Sequence, residues 1–386
     1  MSRGDNGGAP GKRTWDVSLP RSFNLRALWA SSDGGVHSST SYTSASPSWS
    51  SFYNSIPISH VTGIDVVNAS GGIQVYANTW DSGLALGFDD NSGGAFGWTR
   101  GVGTPGDGSR VLASPGFDTV VWATEGLGNT GYMSTDNFSS GTVALGRGSF
   151  LVHDQVPPVF LYNYGSGTEI DVATSPNNPP VTWTKFADGP ASTSEYSTFG
   201  VGKWNGTGSY VYVGPFNDGI WVAPPGSTTF TRTSAPTLNY VKIHGWMSDD
   251  GTAPQTAYAF SVGGPITVLR TRDGGTTWKT ITGDLPSTIY LEDIIADPVN
   301  PDIVFVSASF GANGIYMTTN ASATTPHWAR WVAGLPAGGS YAPADPSNLS
   351  SASVSFATLN LGGGGNWLYA GFWGGSVWKR RTDAHD

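Results

Sequence analysis

The sequence predicts an all-β fold of repeated antiparallel units, and three observations predict it. A hairpin recurs eight times, its spacing is nearly constant, and the composition supplies turn residues and aromatics in place of helix formers. In each repeat a β-rich run reaches a Gly-containing turn and a second short strand follows, the runs opening at Leu25, Ile73, Thr119, Val159, Ser209, Thr256, Asp302 and Asn366. The second strands are expected to begin at Val36, Leu84, Tyr132, Glu169, Ile220, Val268, Ile315 and Val377, in steps of 48, 48, 37, 51, 48, 47 and 62 residues. That period, with four strands per unit, is the pattern of a β-propeller blade. With 54 Gly, 25 Pro, 12% aromatic and 12% charged residues, helix should be nearly absent.

The expectation is therefore a single β-propeller of four-stranded antiparallel blades, seven or eight in number, the hairpin count favouring eight. The polar, Gly-rich residues 1–12 read as a flexible leader and residues 13–386 as one domain. The first blade shows no clear inner strand. Outer strands are marked by an aromatic at Trp49, Trp98, Phe138, Trp183, Phe230, Trp278 and Trp328, where a ring can pack between neighbouring blades. The segment RTWDVSLP at Arg13–Pro20 resembles the outer strand TTWKTITGDLP at Thr276–Pro286, so the N-terminal strand is expected to complete the last blade and close the ring without exposed edges.

Charge and cysteine content narrow the function. The net charge is −9, and the 19 basic residues are scattered apart from Arg380 and Arg381, which argues against a nucleic-acid reader. No apolar run approaches the ~20 residues that span a bilayer, so no membrane partner is expected. Cysteine is absent, which removes disulfides and thiolate metal sites. Low charge, abundant Ser, Thr, Asn and Trp, and sequons at Asn68, Asn137, Asn205, Asn320 and Asn348 favour a secreted monomer. The RGD triplet at Arg3–Asp5 lies in the leader and is background.

The most specific short motif is TRDGGTTW at Thr271–Trp278. Asp273 can bond backbone amides of the turn, Gly274 and Gly275 can supply unusual dihedrals, and Trp278 can enter the blade interface. Looser versions contain Asp136, Asp89 with Asp90, and Asn320. The motif resembles the Asp-box of sialidase-like and sortilin-like propellers, which implies structural rather than catalytic carboxylates. A second resemblance is carried by the run from Asn24 to Trp49 and by the loop Asn78–Asp81, in which the order of motifs is similar to the two-propeller xyloglucan hydrolases. The run at the start of the seventh repeat, IIADPVNPDIVFVSASFGANGIYMTT, shares the inner-strand and hairpin pattern of both families.

That second resemblance implies polysaccharide hydrolysis and makes Asp33 one of two catalytic carboxylates. Inversion needs an acid and a base roughly 6.5–9.5 Å apart on opposite faces of the sugar. In the resembled enzymes the two carboxylates come from two propellers, whereas this chain has length for one. Partners within the same ring are Asp65, Asp81, Asp154, Glu292 and Asp293.

Two other chemistries are open. His60, His153 and His244 fall on segments read as inner strands, which line a propeller's channel. Three imidazoles would suit zinc or iron, and one would suit proton abstraction in a polysaccharide lyase. No cofactor is otherwise expected. The third reading is a multivalent lectin. Trp80, Trp204, Trp246 and Trp373 sit beside predicted loops, and aromatic faces can stack on sugar rings while Asn and Asp bond the hydroxyls. A polysaccharide or oligosaccharide is the expected partner in all three.

Overall fold

A computed structural model of the chain describes residues 14–18, 28–32, 35–39, 50–51, 61–79, 83–90, 97–101, 108–113, 121–125, 130–140, 143–147, 150–153, 159–162, 169–173, 182–190, 196–201, 210–215, 217–238, 240–245, 255–262, 265–309, 314–331, 354–360, 366–372 and 376–382. Every regular element among them is a β-strand, and all pairings are antiparallel. The strands form eight sheets in chain order.

The first sheet holds β1 (Thr14–Ser18), β2 (Leu28–Ser32), β3 (Gly35–Ser39) and β4 (Ser50–Ser51), and the second holds β5 (Val61–Ala69), β6 (Gly72–Thr79), β7 (Gly83–Asp89) and β8 (Gly97–Arg100). The third is β9 (Gly108–Ala113), β10 (Val121–Glu125), β11 (Thr130–Ser134) and β12 (Val143–Arg147), and the fourth is β13 (Phe150–His153), β14 (Val159–Tyr162), β15 (Glu169–Ala173) and β16 (Thr184–Asp188). The fifth comprises β17 (Tyr196–Val201), β18 (Val211–Pro215), β19 (Trp221–Ala223) and β20 (Thr231–Arg232), and the sixth β21 (Tyr240–Gly245), β22 (Ala257–Val262), β23 (Val268–Thr271) and β24 (Lys279–Thr280). The seventh contains β25 (Tyr290–Ala296), β26 (Val304–Ser309), β27 (Gly314–Thr318) and β28 (Ala329–Arg330), and the eighth contains β29 (Val354–Asn360), β30 (Asn366–Phe372) and β31 (Ser376–Arg381).

Each hairpin read from the sequence is the second and third strand of one sheet, and the third strands begin within two residues of the expected positions. The reason is local. Alternating β-branched and aromatic residues favour the strand, and Gly permits the turn between them. Second strands such as β18 are buried on both faces because their sheet lies between two others; Val211, Tyr212 and Val213 of β18 have no exposed surface. Full burial of such a side chain contributes roughly 1.5–3 kcal/mol, so the apolar character of these strands follows from their position. Outer strands β20 and β24 are exposed.

First strands of successive sheets lie side by side from β5 through β9, β13, β17, β21 and β25 to β29, and β29 then lies against β5. The eighth sheet therefore packs on the second. Val61, Ile64, Val66, Ile73, Val75 and Ala77 form one core cluster with Tyr369 and Val377. Gly371 of β30 allows this approach, since a Cβ there would stand 2.4 Å from Val61 Cγ1.

The N-terminal strand departs from expectation. β1 pairs with β2, from Thr14 opposite Ser32 to Ser18 opposite Trp29, and so supplies the first strand the sequence left missing from the first sheet. It is not the outer strand of the last sheet, in which β31 pairs with β30. Pairing with β2 closes a short connection, whereas joining the last sheet would close a loop of nearly the whole chain at greater entropic cost.

Candidate functional site

The repeat places one aromatic at the same point of every second strand, and four of these are tyrosines with almost no exposed surface: Tyr76, Tyr212, Tyr258 and Tyr369. Each hydroxyl donates into the neighbouring sheet. Tyr76 Oη reaches Asn137 Oδ1 at 2.6 Å, Tyr212 Oη reaches the Gln255 carbonyl at 3.2 Å, Tyr258 Oη reaches the Pro301 carbonyl, and Tyr369 Oη reaches Asp89 Oδ2 at 3.0 Å. Burial raises the pKa of Tyr212, Tyr258 and Tyr369, so these phenols stay protonated donors.

Opposite those aromatics, the first strands carry two of the sequence-predicted site residues. Asp65 pairs with Tyr76 and His244 pairs with Tyr258, so both occupy the same blade position, in the second and sixth sheets. Asp65 holds backbone amides with both carboxylate oxygens. Val66 N–H donates to Oδ1 and Ala113 N–H, from the third sheet, donates to Oδ2, each at 2.8 Å. The geometry is that of a clamp between adjacent first strands. Asp293 of β25 accepts its neighbour Ile294 N–H at 2.9 Å in the same local way.

His244 keeps some exposed surface, yet the surrounding protein pulls its pKa from 6.5 down to about 4 by desolvation. Its imidazole is neutral at physiological pH and is a weak base there. Two residues earlier on β21, Lys242 Nζ donates to the Glu292 carbonyl of the seventh sheet. His153 pairs with Val159, one residue beyond the pairing of Val152 with the aromatic Phe160. The register thus gives His153 and His244 non-equivalent positions. No group of three or more metal-ligating side chains occurs among the described residues. Asp33, Asp81, Asp154, His60, Trp80, Trp204, Trp246 and Trp373 lie outside the described residues.

The turn motifs are structural devices with shared wiring. At Thr271–Thr277, Thr271 Oγ1 donates to Asp273 Oδ1 at 2.8 Å and accepts Gly275 N–H at 2.9 Å, while Thr277 N–H donates to Asp273 Oδ1 at 2.8 Å. At Ser134–Ser140 the same positions are filled by Ser134, Asp136, Phe138 and Ser140. Gly274 and Gly275 take φ of 69° and 88°, and Asn137 and Phe138 take 57° and 55° at the matching places. Phe138 tolerates that backbone because its ring is buried between the second and third sheets. Hydrogen bonds from Ser140 and Ser134 lower the Asp136 pKa to about 2. Burial raises Asp273, but hydrogen bonds from Thr277 and Thr271 outweigh it and its pKa falls. In two sequons the amide oxygen accepts hydrogen bonds: Asn137 Oδ1 from Tyr76, and Asn320 Oδ1 from Thr318 Oγ1 and His327 N–H.

Two buried carboxylates went unrecognised as sheet-to-sheet links. Asp89, 3% exposed, receives Tyr369 and Lys379 from the eighth sheet. Asp297, 1% exposed, accepts Val299 N–H and Asn300 N–H at 2.9 Å and Asn366 Nδ2 at 3.1 Å, joining the seventh sheet to the eighth. Their sequence contexts, FDD and ADPVN, read as ordinary turn signals.

At the rim, the fourth and fifth sheets leave a groove of about 500 Å³ between β16 and the approach to β20. Phe186 and Phe230 are half-buried against a core of Ile170, Val211, Val213 and Ala223, and Lys185 pairs with Asp188 at 2.8 Å.

No protein-family model and no curated protein sequence matches the chain. Among solved structures it is similar to the GH74 xyloglucanase from Xanthomonas campestris, with 15% identity and a TM-score of 0.53, over 78% of this chain and 52% of that one. The GH74 enzyme of Niastella koreensis matches with 15% identity and a TM-score of 0.56, over 94% and 48%. YCF48 from Cyanidioschyzon merolae matches with 12% identity and a TM-score of 0.55, over 86% and 98%. The chain spans about half the length of the two GH74 chains. At these identities the likeness is one of fold, the stacked antiparallel sheets of a β-propeller.

Proposed function

We propose that this chain is a secreted, carbohydrate-active propeller that hydrolyses a polysaccharide, with Asp33 as its first catalytic carboxylate. One observation carries the reading. The run from Asn24 to Trp49 resembles the xyloglucan hydrolases, and the fold matches two GH74 chains, one described as a xyloglucanase, over 78% and 94% of this chain. In this reading the second through eighth sheets, whose first strands follow one another from β5 to β29 with β29 against β5, are the seven blades of a ring.

Within that ring Asp65 serves cohesion, because its oxygens already hold two backbone amides. The opposing carboxylate is sought at Asp81, in the loop that shares the family resemblance. A lyase mechanism through His244 is disfavoured, since a base with a pKa near 4 removes a carbon-bound proton poorly at neutral pH.

A second reading, a binding ring without turnover, rests on YCF48, whose chain is matched over 98% of its length and which has also been solved bound to D1 peptide. In that reading Trp80, Trp204, Trp246 and Trp373 bind a sugar without turnover, as in a lectin, or a peptide takes the sugar's place. Incubation with a panel of plant and microbial polysaccharides separates the readings. New reducing ends without the ultraviolet absorbance of an unsaturated sugar are the expected result, and they should vanish in Asp33→Asn. Binding of the same polysaccharides with no product would establish the second reading instead.

A further inference from the structure

We propose that the rim groove between the fourth and fifth sheets is an accessory subsite for a neutral pyranose chain, distinct from the residues assigned to hydrolysis. The inference starts from a break in the repeat. At three of the described seams an aromatic just before the outer strand, or in the turn leading to it, packs on the preceding sheet. Phe138 and Trp328 do this fully buried, at 1% and 5% exposure, and Trp278 packs edge-on against Tyr212 with ring centroids 6.3 Å apart. The sixth and seventh sheets are further sewn at the rim by Lys279, which donates to the Ser322 and Ala323 carbonyls, and by Trp328 Nε1, which donates to the Ile281 carbonyl at 2.9 Å.

Phe230 holds the same place in the fifth sheet, yet it lines an open groove of about 500 Å³, within the usual range of small-ligand sites. The groove wall opposite is Phe186 of β16. Thr228, Thr229 and the ion pair of Lys185 with Asp188 complete the lining.

The chemistry selects the ligand. Lys185 and Asp188 neutralise each other, so the groove offers donors and acceptors without a net charge to attract an ionic ligand. The two phenylalanine rings offer apolar surface to C–H groups, and the polar lining offers partners to hydroxyls. A pyranose presents both in alternation, so one or two residues of a neutral glycan fit this lining. The groove lies between fourth strands, three strand spacings of about 4.8 Å from the first strands, so a chain bound here runs along the rim. The ligand class rests on the glycan reading above, but the subsite does not depend on catalysis.

The test is calorimetric titration of the full chain with neutral oligosaccharides of β-linked glucose, xylose and mannose, in parallel with reducing-end release from a short soluble oligosaccharide. Phe230→Ala should weaken binding at least ~10-fold, as truncation of an aromatic anchor does, with hydrolysis unchanged. Asp188→Asn, on an exposed side chain that does not threaten folding, should weaken it ~3-fold or more, the scale of one lost polar contact. Wild-type binding that is undiminished in both variants overturns the subsite while leaving the hydrolase reading intact. Absence of wild-type binding to every oligosaccharide overturns the subsite as well, and only absence of turnover bears on the hydrolase reading.

Discussion

The seam between the eighth and second sheets and the seam between the fourth and fifth come from one repeat but are finished differently. At the first, the buried carboxylate of Asp89 takes a phenol and an ammonium from residues some 280 positions away, over a core shared by both sheets. At the second, two half-buried phenylalanines border open space. The ordinary seam between the sixth and seventh sheets lies between them in character: Tyr258 donates to a backbone carbonyl, and Arg270 pairs with Asp302 at 2.6 Å. The difference teaches that seams built from one repeat can be finished with buried polar cross-links or left with an open groove, without loss of the core beneath either.

Breaking the polar seam should cost most. Asp89→Ala leaves Lys379 and Tyr369 buried without their shared acceptor and is expected to destabilise by about 3–5 kcal/mol in urea unfolding. Asp297→Ala, on the other flank of the eighth sheet, removes an acceptor of several hydrogen bonds, for an expected loss of about 2–3 kcal/mol. Tyr369→Phe removes one donor while Lys379 still holds Asp89, so about 1 kcal/mol is expected. Phe230→Ala in the open seam should cost about 1 kcal/mol or less, because its ring is already partly in water. A loss there equal to that of Asp89→Ala would show the groove to be core and would erase the contrast.

The pH dependence sharpens the picture further. His244 has a folded pKa near 4, below its ordinary 6.5, so the stability it contributes is present above pH 6.5 and is lost as the pH falls from 6.5 toward 4. Thermal midpoints of wild type and His244→Gln should therefore converge across that window. The buried tyrosines act at the other end. Their raised pKa values make their contribution complete below about pH 10 and lost above it.

The hairpins were legible because their signals are local: Gly turns, β-branched runs and a wedge aromatic lie within a few residues of each other. The turn at Thr271–Trp278 was legible for the same reason, down to the bonds made by Asp273. What escaped was non-local. RTWDVSLP looks like other outer strands because edge strands share a pattern, and only three-dimensional pairing assigns it to β2. Asp89 resembled one more turn carboxylate, since nothing nearby in the sequence announces Lys379 and Tyr369. Asp65 reads from sequence only as one candidate carboxylate, because its amide partner, Ala113, sits on the next first strand and nothing near it in sequence announces the contact.

The glycan reading is tested most directly by reducing-end release from xyloglucan and related polysaccharides, comparing wild type with Asp33→Asn at matched thermal midpoint. The account predicts turnover by wild type and its loss, by several orders of magnitude, in the variant. Undiminished turnover in Asp33→Asn, or none by wild type on any polysaccharide, would contradict it.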